Sequence, residues 1–202
     1  TFRFLPQNDT IYDADRCQEL CEQRIALADL IICVDLNNAT RVGALQKALE
    51  SSCATKILVD HHEKPDYAFF DVVISQPTIS SASELSFWLG MQAWGKDSFD
   101  QDVATCFYTG ICTDTGSFAY SCDEPSLYEA VGCLMQYDVK GATIHNLIFN
   151  TFSVNRMRLL GYCISERLKI FEAEHFAYFY LSNEDQKRFE ALPGDLEVIV
   201  NY

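Results

Sequence analysis

Three short polar runs in the sequence carry the side chains that proteins use to bind catalytic metal ions. Asp35 follows the apolar run LIICV, residues 60–62 (DHH) follow the apolar run KILV, and Asp114 lies in the run TDTGSF. Carboxylate and imidazole ligands suit Mn²⁺, Fe²⁺, Co²⁺ or Zn²⁺. Two such ions about 3.5 to 4 Å apart can lower the pKa of a water and hold a phosphoryl oxygen for attack. The residue types therefore indicate metal-assisted attack on a phosphate ester.

The elements around these runs predict that they meet at one place. An apolar run over 30–34, an amphipathic pattern over 41–50 and a second apolar run over 56–59 predict a strand, a helix and a strand. Such a crossover makes the two strands parallel. Ligands of open parallel sheets bind beyond the carboxyl ends of the strands. We therefore expect Asp35 and residues 60–62 to share one edge of the sheet.

The rest of the chain continues this alternation and predicts an α/β fold, with a mostly parallel sheet flanked by helices. The further predicted elements are a helix over 15–28, a strand over 70–74, helices that begin near Ser81 and Asp100, a helix over 153–168, and strands over 176–181 and 196–202.

Composition limits the classes of partner. The chain has 202 residues, 49% of them hydrophobic, and a formal net charge of −14. This charge repels long polyanions, so long duplex DNA is a poor ligand, whereas a local cluster of cations can still attract a small anion. No apolar stretch reaches the roughly 18 residues of a membrane helix, and no signal peptide opens the chain. We expect a cytoplasmic protein without a membrane partner.

The cysteines support a reducing compartment. There are nine, an odd number, and no two of them form a CxxC pair. Several lie in apolar runs or at helical spacing, which favours buried small side chains over disulfides.

Each metal-competent residue also has a simpler explanation. A histidine pair after a strand can be a solvent-facing loop or part of a hydrogen-bond network, and an aspartate there can cap a helix or form a turn. The convergence of three separate segments on one sheet edge favours a metal site over these alternatives.

The same residues carry a family resemblance. Residues 60–62 resemble the signature of the DHH phosphoesterase superfamily, and the stretches ADLIICVDLNNATRVG, KILVDHHEKPD, SSASEL and GICTDTGSF occur in the family's order. The sequence is most similar to the bacterial nanoRNase branch, bifunctional oligoribonucleotidases that also dephosphorylate 3'-phosphoadenosine 5'-phosphate. Family II pyrophosphatases are more distant relatives.

The resemblance implies a role for each residue of the predicted site. Asp35 matches the carboxylate that bridges two ions, and His61 and Asp114 match further metal ligands. Asp60 is expected to orient His61 or the loop, and His62 to face the substrate phosphate during catalysis. The implied cofactor is two Mn²⁺ ions, with Mg²⁺, Co²⁺ or Fe²⁺ as alternatives.

Three more residues are candidates for phosphate contacts. Arg41 can reach a phosphate or be a helix-surface cation. Ser80 and Ser81 can bind phosphate at a helix N-terminus or only cap that helix. His145 and His175 match no family motif and are predicted to be structural.

One family motif has no counterpart here. Family members begin with a strand and a His-x-x-x-Asp-x-Asp segment that supplies most ligands of the first metal and one ligand of the second. Residues 1–14 of this chain contain no histidine. The predicted layout is a DHH domain over 1–125 that lacks this first motif, a helical linker over 126–168, and over 169–202 the beginning of a DHHA1-like substrate-binding domain. We expect an internal fragment, truncated at both ends.

The resemblance implies hydrolysis of short RNA oligonucleotides, or of linear dinucleotides such as pApA, by metal-activated water. Small nucleotides are the expected partners, and a homodimer is compatible with the sequence. Two alternatives stay open. One is a phosphatase or pyrophosphatase that acts on smaller anions, and the other is a nucleotide-binding or regulatory module that is catalytically incomplete.

Overall fold

A parallel sheet of three strands organises the first part of the chain. The computed structural model describes residues 2–150, 152–192 and 195–196, in two units, Thr1–Ile148 and Phe149–Tyr202. In the first unit, strands β1 (Leu30–Val34), β2 (Thr55–Asp60) and β3 (Val72–Ser75) lie in that order, and both pairings are parallel.

Six helices belong with this sheet, the last of which runs one residue into the second unit: α1 (Ala14–Leu27), α2 (Gln46–Ser51), α3 (Ala82–Trp94), α4 (Gln101–Asp114), α5 (Pro125–Leu134) and α6 (Gly141–Phe149). Apolar clusters lie on both faces of the sheet at β2, whereas Ile32 and Val34 of β1 are exposed. One face holds a cluster that includes Cys33, Leu58 and Phe70. The other holds a cluster in which Val59 of β2 and Leu85 of α3 are buried. Helices packed on a parallel sheet confirm the predicted α/β fold.

The crossover between β1 and β2 differs from the single helix predicted over 41–50. A 3₁₀ segment, Ala39–Leu45, precedes the short helix α2, and the side chain of Asn38 accepts a hydrogen bond from the amide of Thr40 at its start. Gly43 has a φ of 57°, which a right-handed helix does not contain. The glycine therefore divides a segment whose apolar spacing alone predicts one continuous helix.

Side-chain caps fix the starts of α3 and α4, as predicted. The Ser81 hydroxyl accepts from the amide of Glu84 at 3.0 Å, and the Asp100 carboxylate accepts from the amide of Val103 at 2.8 Å. Each cap satisfies an amide that has no partner within its own helix.

The same two helices approach closely at Gly110 of α4. A Cβ atom at this position would lie 1.9 Å from Oγ of Ser83 on α3. Because α4 ends at Asp114, this close contact also sets the position of that carboxylate.

The second unit holds α7 (Val154–Tyr162), β4 (Lys169–Phe171), β5 (Phe176–Tyr178) and α8 (Asn183–Arg188), and β4 and β5 pair antiparallel. A π-helical turn, Cys163–Arg167, follows α7. The helix predicted over 153–168 thus changes form near its middle, and β5 covers only the start of the strand predicted over 176–181. The strand predicted over 196–202 lies outside the described residues except for Leu196, which is in a turn. The predicted domain boundaries at 125 and 168 stay predictions.

A buried carboxylate ties this second unit together. Asp185 is 5% exposed and accepts two hydrogen bonds from Arg167, one from the Tyr162 hydroxyl, and two from the amide and hydroxyl of Ser182. The Arg167 guanidinium and then the Ser182 amide hold the pKa of Asp185 well below its usual range. The ionised carboxylate therefore stabilises this unit at neutral pH, and the contribution is lost as pH falls through the depressed pKa.

None of the helices in the described residues is long and apolar enough to cross a membrane.

The close approach at Gly110 predicts a large effect of a small substitution. We expect Gly110→Ala to lower the free energy of unfolding by about 1 to 3 kcal/mol, because the added methyl pushes α4 away from α3. Gly132 on α5 is the matched control, since a Cβ there meets nothing within 4 Å. Gly132→Ala should instead stabilise by about 0.5 to 1 kcal/mol. Urea unfolding measures both, and equal stabilities of the two variants would contradict the packing at Gly110.

Candidate metal centre

Asp35 follows β1 directly and turns the chain at the edge of the sheet. Its amide donates to the carbonyl oxygen of Val59 at 3.1 Å, which extends the pairing of β1 with β2 by one residue. Its φ is 61°, in the left-handed region that aspartate tolerates better than most residues. The side chain is 58% exposed. The carboxylate thus lies at the carboxyl end of the sheet with one side open to solvent.

The three residues of the DHH run, at the end of the neighbouring strand β2, differ in burial. Asp60 is the last residue of β2 and is fully buried, whereas the side chains of His61 and His62 are 18% and 32% exposed. The two imidazole rings meet edge to face, with centroids 4.9 Å apart. Nδ1 of His61 faces the carbonyl oxygen of Ile79 at 3.4 Å, which leaves Nε2 directed at the carboxylates.

Carboxylates from two other segments, Asp35 and Asp114, lie close to Nε2 of His61. Oδ1 of Asp35 lies 3.5 Å away and Oδ2 of Asp114, from the end of α4, lies 3.1 Å away. Asp35, His61 and His62 each offer one ligand atom within 4.8 Å of the others. The structure thus brings together the residues that the sequence predicted as ligands, with Asp114 joined through His61 and with His62 as an additional neighbour.

Burial and neighbouring charges both act on the carboxyl group of Asp114. Burial raises the pKa of Asp114 above its usual value, His61 partly opposes this rise, and the charge of Asp35 adds to it. A bound cation would offset both the burial and the repulsion, because it favours the ionised form of each carboxylate.

Asp60 contacts the second histidine of the run. Its Oδ1 lies 2.7 Å from Nδ1 of His62, in the loop after β2, and its predicted role of orienting His61 or the loop stays a prediction. The contact follows from strand geometry: Asp60 ends β2 with its side chain buried, and the chain turns so that the second histidine folds back over it. The other oxygen, Oδ2, is buried and has no hydrogen-bond partner among the described residues. A buried carboxylate of this kind fixes the ring of His62.

The donor set fits a divalent metal ion. The ligand atoms of Asp35, His61 and His62 lie within 4.8 Å of one another, a spacing close to that of ligands bound around one ion at about 2.1 Å. Asp114 meets this group through Nε2 of His61, which lies 3.1 Å from its Oδ2. Two carboxylates with one imidazole suit Mn²⁺, Fe²⁺, Co²⁺ or Zn²⁺. Oδ2 of Asp60, which has no hydrogen-bond partner among the described residues, is a further acceptor close to His62.

A cavity of about 420 Å³ opens beside the cluster. Asp35 and Asp114 line one part of it, and Ser81, at the start of α3, lines another. This volume is in the range of small-molecule sites. A ligand in the cavity would touch both the predicted metal ligands and a helix N-terminus.

The residues predicted to bind phosphate have other partners or positions here. The Ser80 hydroxyl donates to Oε2 of Glu84 at 2.6 Å, and the Ser81 hydroxyl accepts from the Glu84 amide. Both serines are almost fully buried and cap α3. Arg41 is exposed on the 3₁₀ segment, and no hydrogen bond or ion pair between described residues joins it to the cluster. Their phosphate roles stay predictions.

Sequence reasoning passed over Ser117 and Ile79. The Ile79 carbonyl faces His61, and Ser117 lies three residues after Asp114 with its hydroxyl 2.7 Å from Nδ1 of His145. The glycine and serine of TDTGSF were the available signal for Ser117, since they indicate a tight turn. A backbone carbonyl such as that of Ile79 leaves no such signal.

A family model described as "DHH family, N-terminal domain" matches residues 2–111. The chain belongs to the DHH family. This family includes phosphoesterases and exopolyphosphatases and is metal-dependent. The matched region contains Asp35 and the complete DHH run, and it ends three residues before Asp114.

Two further proteins are similar to this DHH-family chain. A crystal structure of an exopolyphosphatase-related protein from Bacteroides fragilis superposes with a TM-score of 0.94 at 34% identity, over 98% of this chain and 58% of that chain. An uncharacterized protein of Mycoplasma pneumoniae (strain ATCC 29342 / M129 / Subtype 1), named as a homolog of MG371, is 26% identical over 120 residues, or 59% of this chain and 35% of that protein. The chain thus spans between about a third and three fifths of these relatives.

Metal binding should depend on the clustered side chains. We expect Asp35→Asn and His61→Ala each to weaken Mn²⁺ binding by at least the roughly 10- to 100-fold that loss of an outer-shell partner costs. Asparagine is chosen at position 35 because it also tolerates a positive φ. Asp97→Asn, in the exposed turn Lys96–Ser98, should bind like the wild type. Isothermal titration calorimetry compares the four proteins, and equal affinity in all of them would place the metal elsewhere.

Proposed function

We propose that this DHH-family chain carries the metal centre of a phosphoesterase that hydrolyses short oligoribonucleotides, linear dinucleotides such as pApA, and 3'-phosphoadenosine 5'-phosphate. One observation supports the proposal above others: Asp35, His61 and Asp114 converge on one edge of a parallel sheet, beside a cavity of about 420 Å³.

Three residues would hold the metal, with Mn²⁺ as the proposed ion. Asp35, the most exposed carboxylate of the cluster, can bind through both oxygens, while His61 and Asp114 supply one ligand atom each. A bound divalent ion lowers the pKa of water and withdraws charge from phosphoryl oxygens. The protein's part is to fix these ligands at the sheet edge, where the substrate enters from the open side.

His62 is proposed as the group that assists the leaving oxygen. The carboxylate of Asp60 holds Nδ1 at 2.7 Å, which fixes the orientation of the ring and neutralises a positive charge on it. The other ring nitrogen, Nε2, can then give a proton to the oxygen released from phosphorus. Such general acid assistance contributes typically about 100- to 10,000-fold in rate.

The charge and the cavity together favour a short substrate. The chain carries a net charge of −14, so a long polyanion would be repelled along most of its length. A substrate of a few nucleotides needs only the local cations of the metal centre. The start of α3 lines the same cavity, and a helix N-terminus favours phosphate. Because Glu84 engages the hydroxyls of Ser80 and Ser81, we assign phosphate contacts there to backbone amides, with Arg41 as a more distant cation.

One comparison favours a second candidate. The Bacteroides fragilis neighbour is described as exopolyphosphatase-related, which favours hydrolysis of inorganic polyphosphate or pyrophosphate at the same centre. A chain that binds nucleotides without turnover would instead be a regulatory module.

Substrate hydrolysis with Mn²⁺ separates these functions. We expect the purified protein to release AMP from pApA, and to act more slowly on pyrophosphate and on short polyphosphate. His62→Ala should lower kcat for pApA about 100-fold or more with a smaller change in KM, because the lost proton transfer belongs to the transition state. His175→Asn is the control: this histidine lies in the second unit with a φ of 50°, which asparagine tolerates.

Each contrary result has a specific meaning. Hydrolysis of polyphosphate alone would replace the proposed substrate by the second candidate. Mn²⁺-dependent binding of pApA without release of AMP would identify the regulatory module. Equal kcat values for the wild type and His62→Ala would remove His62 from catalysis.

A further inference from the structure

A left-handed turn follows Asp114 immediately. Gly116, Ser117 and Phe118 have φ values of 55°, 59° and 67°. This conformation is natural for glycine but unfavourable for serine and more so for phenylalanine. Consecutive residues keep such a backbone only where their surroundings impose it, and such places cluster at functional sites.

Contacts within the segment account for part of this turn. The amide of Ser117 donates to the Cys112 carbonyl at 2.8 Å, and the amide of Phe118 donates to the hydroxyl of Thr115 at 3.0 Å. Thr115 is fully buried. Gly116 has no room for a side chain, since a Cβ would lie 2.8 Å from the ring of Tyr120. These bonds lie within residues 112–118, and the ring of Phe118 lies 6.2 Å from that of Tyr108 on α4. These contacts do not attach the turn to a later helix.

That attachment comes from α6. Oγ of Ser117 and Nδ1 of His145 lie 2.7 Å apart, across 28 residues of sequence, which is a hydrogen bond in either tautomer of the ring. Helix α6 is anchored in the fold by Ile144, which is buried, and it approaches α4 at Gly141, where a Cβ would lie 2.6 Å from the Tyr108 hydroxyl. His145 therefore joins the turn to a packed helix.

Beyond the packing of α4 on α3 at Gly110, the Asp114 side chain has few direct restraints. The Asp114 side chain is 36% exposed, and among the described residues its one ion-pair partner is Nε2 of His61. Movement of the turn that follows would therefore move this carboxylate relative to His61.

We propose that His145 is a positioning residue for Asp114. Its hydrogen bond to Ser117 holds the left-handed turn closed, and the closed turn keeps the carboxylate of Asp114 in place for the metal. The inference rests on the proposed function, because it assigns Asp114 as a metal ligand. His145 itself touches neither metal nor substrate in this arrangement.

Calorimetry with Mn²⁺ on the wild type and five variants tests the inference. His145→Ala and Ser117→Ala should each weaken Mn²⁺ binding about tenfold, the lower limit for an outer-shell residue. The double variant should bind no more weakly than either single variant, because both remove the same bond. His145→Asn should restore affinity, since the asparagine side chain places a polar atom near the position of Nδ1. Thr143→Ala, exposed on the same helix, should behave like the wild type.

Hydrogen exchange without metal gives a second readout. The amides of residues 115–118 should exchange faster in His145→Ala than in Thr143→Ala, while the thermal unfolding midpoints show that both variants are folded. Wild-type Mn²⁺ affinity in His145→Ala and Ser117→Ala, additive losses in the double variant, or unchanged exchange in the turn would each overturn the inference. His61→Ala, titrated in the same series, separates the two proposals: if it binds Mn²⁺ like the wild type, the proposed metal centre itself is wrong.

Discussion

The parallel pairing of β1 with β2 is the constraint on which the candidate site depends. In this register Val34 lies beside Val59, so the residues that follow each strand emerge at the same edge. The amide of Asp35 extends the pairing by donating to Val59, which holds the carboxylate beside the DHH run. A shift of one residue would turn every side chain of β1 to the opposite face and would separate Asp35 from His61. The apolar cluster on one face of the sheet, which buries Cys33 of β1 together with Leu58 of β2, resists that shift.

Burial divides the acidic residues of the site into two chemical groups. Asp35 and Asp114 are partly exposed and close to His61, so a cation can reach them from solvent. Asp60 is fully buried and bound to His62, so its charge acts on a ring and not directly on a ligand in solution. This division is typical of metal-dependent hydrolases, in which some carboxylates bind the ion and others orient neighbouring side chains.

Local sequence signals predicted the parts of the fold that depend on short-range physics. The apolar runs that stop at Asp35 and Asp60, and the caps at Ser81 and Asp100, are each visible in a few residues. Contacts between distant segments were not predictable in this way: the pairing of Asp60 with His62 depends on how the chain turns after β2, and the bond from Ser117 to His145 depends on where α6 packs. The glycine within the β1–β2 crossover also has a left-handed φ that apolar periodicity does not reveal.

Anomalous diffraction from crystals soaked in Mn²⁺ would show whether Asp35, His61 and Asp114 bind an ion. We expect a strong anomalous peak within about 2.3 Å of a carboxylate oxygen of Asp35, Nε2 of His61 and a carboxylate oxygen of Asp114, consistent with ordinary metal–ligand bonds, and no such peak there in crystals of His61→Ala. A peak confined to other acidic side chains, or an undiminished peak at this edge after His61 is removed, would contradict the claim that these three side chains form the metal centre.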